Sequence, residues 1–459
     1  MTSSAPVIVV GGGISGLVCS YALKKAGVEI LALDASRDAG GLIRSEKRDG
    51  FLLELGPQSF SSAAVLRGLC AQLGIADQAL EAPANAPRYV LMDGTLKAVP
   101  LNPAAMLTSS FLSSRTKWAI ARDAFGSTRA PDEDESIAAF VQRKFGDELL
   151  DRLVGPFVSG IYAGDPECLS LRSAFPQLYE AEKSAGSVLR GMLRAAKSRK
   201  GPRERPALQS FRDGNQTLTH ALAEKIGSNL RLGAEVVGIA PRRESRATKF
   251  EVRIRQTNSE ETVLADRLVL ATPTDVAGAL LRDVNPAFEP VLSGIEYAPV
   301  AVVSLGYKRE DVAHSLNGFG FLVPRSSRLR TLGTVWNSSL FAGRAPAGQV
   351  LLTSFVGGAT DRAAAALSCD DLAQLVHREI APVLQIRATA VFSHVQMYRR
   401  ALPQYNLGHS GRLRALDKLR ADVPGLFFIG NYLRGPAIGS CVDLAMATAD
   451  SVVNQLQRA

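Results

Sequence analysis

The chain has 459 residues, 46% of them hydrophobic and 21% charged, with a formal net charge of +9; this is the balance of a globular protein with room for large cores and no sign of long disorder. Its five cysteines (Cys19, Cys70, Cys168, Cys369, Cys441) are odd in number, far apart and never in a CxxC, which argues for a reducing compartment and against a disulfide scaffold. The histidines never fall at metal-ligand spacing, so no metal is expected, and no uncharged run reaches the roughly twenty apolar residues of a spanning helix.

Residues 1–23 carry no charge, but consecutive glycines interrupt them and no basic segment precedes them, so they read as the start of a fold and not as a signal peptide. The apolar run 6–10 leads into Gly11-Gly12-Gly13-Ile14-Ser15-Gly16 and a helical pattern with Ile14, Leu17, Val18 and Tyr21 on one face. The next apolar run, 28–33, ends in Asp34. Strand, glycine turn, helix, strand and acid is the arrangement that cradles a dinucleotide. Gly11 serves the tight turn, Gly13 the approach of a pyrophosphate, and Gly16 the close packing of helix on strand. The helix start offers unpaired N–H groups and a positive dipole end to phosphates. Asp34 stands where a carboxylate accepts hydrogen bonds from a ribose diol.

Gly40-Gly41-Leu42-Ile43-Arg44 suits a second backbone approach to the pyrophosphate, with the guanidinium as charge partner. A helix is expected over 61–80 (Val65, Leu66, Leu69, Leu73), then a break at 83–87 and a strand over 88–94 that turns at Asp93-Gly94. From 101 to 200 the periods are helical: Ile137, Phe140, Val141 and Phe145 share a face, continued by Leu149, Leu150, Leu153, Val154 and Phe157. Trp118 and Phe111 read as core in preference to a membrane headgroup layer. From Arg190 to Arg212, basic residues (Arg194, Lys197, Arg199, Lys200, Arg203, Arg205 among them) face the single acid Glu204. Without interleaved aromatics this stretch reads first as a solvated loop, then as a phospholipid contact, and last as a nucleic-acid surface; no nucleic-acid partner is expected.

A strand at 230–237 and a hairpin of 249–256 with 261–272 follow. Strands at 299–307, 319–323, 331–336 and 349–356 suit a mixed sheet roofing a cavity. A helix from Asp370 to about Ile380 ends before Pro382. A strand at 426–429, a glycine loop over 430–439 and a last helix with Val442, Ala445, Ala449 and Val452 inward complete the pattern.

The glycine turn, Gly40-Gly41-x-x-Arg44 and Gly56-Pro57 together resemble the FAD domain of the amine-oxidase and protoporphyrinogen-oxidase superfamily, with Asp34 where those flavoproteins usually carry Glu. Phe211-Arg212-Asp213-Gly214-Asn215-Gln216 is similar to the superfamily's Phe-x-Gly-Gly segment, Asn215 standing in a glycine position as a residue that tolerates positive φ. Gly160-Ile161-Tyr162-Ala163-Gly164-Asp165-Pro166 with Leu169-Ser170, the 318–324 and 403–409 stretches, and Gly430-Asn431-Tyr432 resemble the protoporphyrinogen oxidase family. The strand at 299–306 lacks the lysine that amine oxidases of this fold place under flavin N5. Pro436-Ala437-Ile438 and Ser440 depart from the family's pattern in the loop over the ring.

The resemblance implies an α/β fold: a Rossmann-like FAD-binding domain (1–86, 207–285, 408–459), a mixed-sheet substrate domain (87–100, 286–407) and a helical, membrane-associating insert (101–206). It implies FAD bound by Gly11, Gly12, Gly13, Ile14, Ser15, Gly16, Asp34, Gly40, Gly41, Leu42, Arg44, Gly56, Pro57, Gln58, Ser59, Val236, Ala271, Gly430, Ala437, Ile438 and Gly439. The last helix would aim its N-terminus, near Ser440, at the flavin ring. Substrate would meet Phe319, Leu322, Phe355 and Gly164, with Arg88 pairing a propionate. The implied activity is six-electron oxidation of protoporphyrinogen IX to protoporphyrin IX by dioxygen, releasing hydrogen peroxide, with no acid or base assigned. Coproporphyrinogen III is the alternative substrate; another flavin oxidase of this fold, or a non-catalytic basic membrane-surface protein, is more distant. Expected partners are the porphyrinogen, dioxygen, a membrane surface, a second copy of the chain and the next haem-pathway enzyme. The expected location is cytoplasmic, against the inner face of a bacterial membrane.

Overall fold

The opening apolar run becomes the middle of a five-stranded parallel sheet. Val7–Val10 is wholly buried, as a strand covered on both faces must be. Ile30–Asp34 and Arg267–Leu270 flank it, with Leu230–Leu232 and Leu426–Phe428 outermost. Because all five strands run the same way, their carboxyl ends line up Gly11, Asp34, Ala271 and Gly430 along one edge. That edge is where sheets of this kind take ligands. The computed structural model describes residues 7–100, 103–126, 131–198, 207–244, 247–256 and 259–458; Arg199, Lys200, Arg203, Glu204 and Arg205 of the basic stretch lie outside them.

On one face of this sheet the first helix, Ile14–Lys25, packs beside the closing helix, Ile438–Gln457, burying Leu17, Val18, Leu23, Val442, Ala445 and Val452 together. A three-stranded antiparallel sheet covers the other face, its Val236, Ile239, Phe250 and Ile254 meeting Ile8, Val10, Leu31 and Leu33. The strand expected at 230–237 is two. Gly233, at φ +66°, breaks it, so Leu230–Leu232 joins the parallel sheet and Ala234–Glu244 starts the antiparallel one. The expected partner at 261–272 likewise divides between sheets, as Ser259–Ala265 and Arg267–Leu270. The helix expected over 61–80 is Ala64–Leu73, ended by Gly74 in a left-handed conformation.

The second large sheet has seven strands, in the order Phe392–Pro403, Tyr297–Lys308, Gln349–Gly357, Thr331–Val335, Gly320–Leu322, Arg88–Met92, Thr95–Ala98. It is mixed, because Gly320–Leu322 runs parallel to Arg88–Met92 while the other pairs are antiparallel. The helix Cys369–Leu384 seals one face, placing Leu372, Val376, Ile380 and Leu384 on Ala301, Val303, Leu352 and Val356. It passes through Pro382, where an end was expected. Burial of Leu384 in the last turn offsets the one helical N–H that proline lacks.

Helices Ser114–Phe125, Ile137–Phe145, Gly155–Tyr162, Pro176–Ala185 and Val188–Ser198 build a separate core around Phe111, Phe140, Val158 and Tyr162, which reaches Val90 and Leu322 of the sheet. A buried ion network ties three of them: Lys144 Nζ lies 2.7 Å from Asp123 and 3.2 Å from Glu182, and Arg143 is 2.9 Å from Glu182. That network decides which way Ser114–Phe125 faces. Asp123 turns inward, so Phe111 is core as expected but Trp118 is not: it stands 64% exposed, with Arg122 over its ring at 5.4 Å.

Candidate flavin and substrate site

The first glycine turn leaves no room for a side chain at Gly11 or Gly16. A Cβ on Gly16 would lie 1.8 Å from the Gly11 carbonyl oxygen, and one on Gly11 (φ +112°) 2.7 Å from that of Ala271. Beside Gly13 nothing approaches within 4 Å, so the turn presents bare backbone to open space. The second turn backs onto the first. Gly40 donates its N–H to the Gly12 carbonyl at 2.8 Å, and a Cβ on Gly41 would lie 3.1 Å from the Gly13 Cα. Asp34 accepts from the N–H groups of Gly12 and, at 2.6 Å, Ser36. The acid thus braces the turn and keeps further lone pairs for a ligand. Val236 lies on the core side of this corner, shortly after Leu232, which pairs with Asp34.

The 54–58 loop is fixed from two directions. A Cβ on Gly56 would sit 1.9 Å from the Leu42 carbonyl oxygen, Pro57 accepts from Asn215 Nδ2 at 2.8 Å, and Gln58 accepts from Asn337 Nδ2 at 2.6 Å. Ser59 is half-buried beside them. The positive φ expected at Asn215 belongs to its neighbour Gly214 (+95°); Asn215 has φ −65° and is placed for its hydrogen bonds. Beneath lies a cluster with no sequence signal. Glu54, 1% exposed, accepts from Ser45 Oγ at 2.6 Å and the Asn215 N–H at 2.9 Å, with Arg344 at 3.3 Å. Burial pushes its pKa up to about 7, although the guanidinium pulls the other way.

The closing helix begins at Ile438, two residues ahead of the Ser440 expected, and no side chain caps it. The first helix, after Gly13, is uncapped too. The two helices pack along one another, and the Cys441 thiol in the first turn of the closing helix donates to the Gly435 carbonyl at 4.0 Å. The glycine loop before the closing helix contains one short helix, Asn431–Arg434. Ala437 is exposed, Gly439 lies against Ala63, and Arg44 and Leu42 border the open side of the second turn.

Facing this edge is the side of the seven-stranded sheet turned away from Cys369–Leu384. Val90, Leu322, Gly333, Phe355, Val302 and Gln396 stand opposite one another in one row. Phe355 packs with Ala163, Val300 and Tyr398. Leu322 reaches Gly160, where a Cβ would be 2.7 Å away, and Gly164 is pressed by Leu169 and Gln404. Phe319 sits apart from Leu322 and Phe355, against Ala82, Leu340 and Phe341, with the exposed Arg88 guanidinium 5.5 Å from its ring. So the sequence's five substrate candidates fall into two groups, a central apolar one and a rim pair. Thr272 Oγ1, Asn337 Oδ1 and Tyr398 OH are buried with no protein partner. A polar ligand between edge and sheet fits these unpaired atoms as well as the bare glycine backbone.

A parallel sheet with two glycine turns and two open helix starts on its ligand edge, roofed by a second mixed sheet, defines a dinucleotide-dependent oxidoreductase. Residues 14–456 match the flavin containing amine oxidoreductase family, and the chain belongs to it. It is 33% identical to protoporphyrinogen oxidase 1, chloroplastic, of Spinacia oleracea, over 98% of this chain and 84% of that protein. It is 28% identical to the coproporphyrinogen III oxidase of Bacillus subtilis (strain 168), over 98% of each. In fold it matches a crystal structure from Exiguobacterium sp. 255-15 with a TM-score of 0.81 at 24% identity, over 99% of this chain and 100% of that one. The protein is a flavoenzyme, and FAD is its cofactor. Among the described residues no helix is long and apolar enough to cross a membrane.

Proposed function

We propose that this flavoenzyme oxidises protoporphyrinogen IX to protoporphyrin IX, with three dioxygen molecules each taking two electrons and two protons to become hydrogen peroxide. The observation that carries the reading is the sheet face turned away from Cys369–Leu384: a broad apolar row, Val90 to Val302, with the exposed Arg88 over Phe319 at its margin. A large tetrapyrrole bearing propionates needs such a slot and a cation at one rim. The strand Tyr297–Lys308 offers Val300, Val302 and Ser304 to that face, and its one lysine is the exposed Lys308 at its far end, which supports carbon–hydrogen over amine oxidation.

The flavin, when bound, supplies the two-electron acceptor. Gly11–Gly16 and Gly40–Gly41 would hold its pyrophosphate with Arg44 as charge partner, Asp34 a ribose, Val236 and Ala271 the adenine side. Gly56, Pro57, Gln58 and Ser59 would follow its length, and Gly430, Ala437, Ile438 and Gly439 would receive the ring. The uncapped start of the closing helix would favour negative charge there by roughly 0.3–1 kcal/mol. Leu322 and Phe355 would orient the substrate and exclude water, with Gly164 allowing close approach. We assign cofactor binding to 1–86, 207–285 and 408–459, and substrate binding to 87–100 and 286–407. The helical segment 101–206 would contact a membrane from the cytoplasmic side, through exposed Trp118, Phe125, Met192 and Leu193.

Anaerobic mixing of the oxidised holoenzyme with each reduced porphyrinogen tests this. Protoporphyrinogen IX is expected to bleach the flavin with porphyrin fluorescence appearing; no bleaching by either substrate overturns the reading. Faster bleaching by coproporphyrinogen III favours the second reading, which the Bacillus relative supports.

A further inference from the structure

The 403–409 stretch carries hydrogen bonds that the oxidation itself leaves unexplained. Its Tyr405 lies 5.7 Å from the ring of Tyr162 and is stacked face to face on His409, centroids 4.3 Å apart at 11°. Both Tyr405 and His409 are buried, and each spends its polar atom on the same distant loop. The Tyr405 hydroxyl donates to the Asn431 carbonyl at 2.5 Å, and His409 Nε2–H donates to the Tyr432 carbonyl at 3.0 Å. His409 Nδ1 is buried without a partner, consistent with one fixed tautomer.

Asn431 and Tyr432 begin the loop that leads from the last parallel strand to the closing helix. That loop has little to hold itself. Outside the single turn of helix Asn431–Arg434, its main-chain bonds are Leu433 N–H to the Gly430 carbonyl at 3.3 Å and Cys441 N–H to that of Ala437 at 3.1 Å. Gly430 (+155°) and Gly435 (+127°) add two permissive joints. The 403–409 stretch, by contrast, is anchored. Gln404 Nε2 donates to the Tyr162 carbonyl at 2.9 Å, Ser170 N–H to that of Tyr405 at 2.8 Å, and Leu407 N–H to that of Cys168 at 2.8 Å.

We propose that Tyr405 and His409 are positioning residues for the flavin: by holding the Asn431 and Tyr432 carbonyls they set the 430–435 loop, and with it the start of the closing helix, where the flavin ring is received. Neither touches the reacting atoms. The inference rests on the ring-side role given above to that loop, and not on the porphyrinogen, so FAD binding measured without substrate reads the two apart.

Tyr405→Phe and His409→Leu each delete one donor. FAD dissociation constants, from quenching of flavin fluorescence on reconstitution, are expected to rise about tenfold in each, the worth of one buried hydrogen bond. The flavin reduction midpoint is expected to become more negative, with KM for the porphyrinogen within twofold of the parent. His409→Gln, which offers an N–H again, is expected to recover most of the FAD affinity. Unchanged FAD affinity and midpoint in both deletion variants overturn the proposal. So does a lower melting temperature with those two readouts intact, or a Gln variant no better than Leu. Should His409→Leu fail to fold, Tyr405→Phe decides alone.

Discussion

Among the described glycines Gly16 has the tightest would-be Cβ contact, 1.8 Å from a carbonyl oxygen that cannot retreat without opening the turn. Gly16→Ala is expected to purify with less than a tenth of the parent's flavin, read from visible absorbance; a full complement would show that the turn can shift. This position was legible in the sequence because the chemistry is local, four glycines within six residues. Glu54 and Arg344 were not, because their pairing crosses most of the chain and neither has a motif. Titration separates two buried groups further. Burial lowers His409 to about 4 from an ordinary 6.5, so the unfolded chain takes up a proton first and stability drops as pH falls from about 6.5 towards 4. Glu54, raised from 4.5 to about 7, works in the opposite sense, its share of stability declining as pH rises through that window. The urea midpoint of His409→Gln should therefore fall less than the parent's between pH 6.5 and 4; an equal fall would assign the acid sensitivity elsewhere.

At the scale of elements, Asp123 does the most. From Ser114–Phe125 it binds Lys144, accepts from Ser187 Oγ at 3.0 Å and from the Leu189 N–H at 3.1 Å, so one carboxylate sets the start of Val188–Ser198 as well as its own helix. Both helices then carry apolar residues outward, Phe125 at 88% exposed and Leu193 at 62%. Arg122, Arg194 and Lys197 flank them, the pairing that suits an anionic bilayer. The combined change Trp118→Ser, Phe125→Ser, Leu193→Ser is expected to cut co-sedimentation with anionic vesicles at least fivefold while turnover in detergent stays unchanged. Sedimentation like the parent's would remove the membrane role from this face. The helical character of 101–200 was legible as a whole, but periodicity did not single out these two helices: the basic stretch read first as a solvated loop is helical as far as Ser198, and which stripe faces in is decided by a buried ion pair. The edge strand Phe392–Pro403 escaped notice for a related reason: half-buried, with Ser393, His394, Gln396, Arg399 and Arg400 in it, it lacks a clean alternation.

For the whole molecule, the candidate cofactor site draws on residues near 11–16, 34–44, 54–59, 271 and 430–441, far apart in the chain and gathered by the parallel sheet and the paired first and closing helices. A ligand bridging them adds stability by mass action, about 4 kcal/mol at a thousandfold excess over Kd. Deflavinated protein is thus expected to melt several degrees below the holoenzyme in calorimetry, and to regain the difference on adding FAD. Identical melting curves would contradict a site shared between the chain's distant parts. A glycine-turn sheet and a separate mixed sheet were visible in the character of the strands, whereas the strand order was not, because pairings such as Gly320–Leu322 with Arg88–Met92 are long-range and leave no local mark.

The central place of Val7–Val10 also bears on how the protein is made. Ile30–Asp34 emerges from the ribosome soon after it, but its other neighbour, paired Val7 to Arg267, comes far later. At about 5–20 residues per second the nascent chain carries an unzipped, all-apolar strand edge for roughly ten to fifty seconds. With the flavin site as proposed, capture waits longer still, for the closing helix. Synthesis of this enzyme therefore leans on whatever shields that first strand, and overproduction that outruns the shielding sends the chain into aggregates before a cofactor could rescue it.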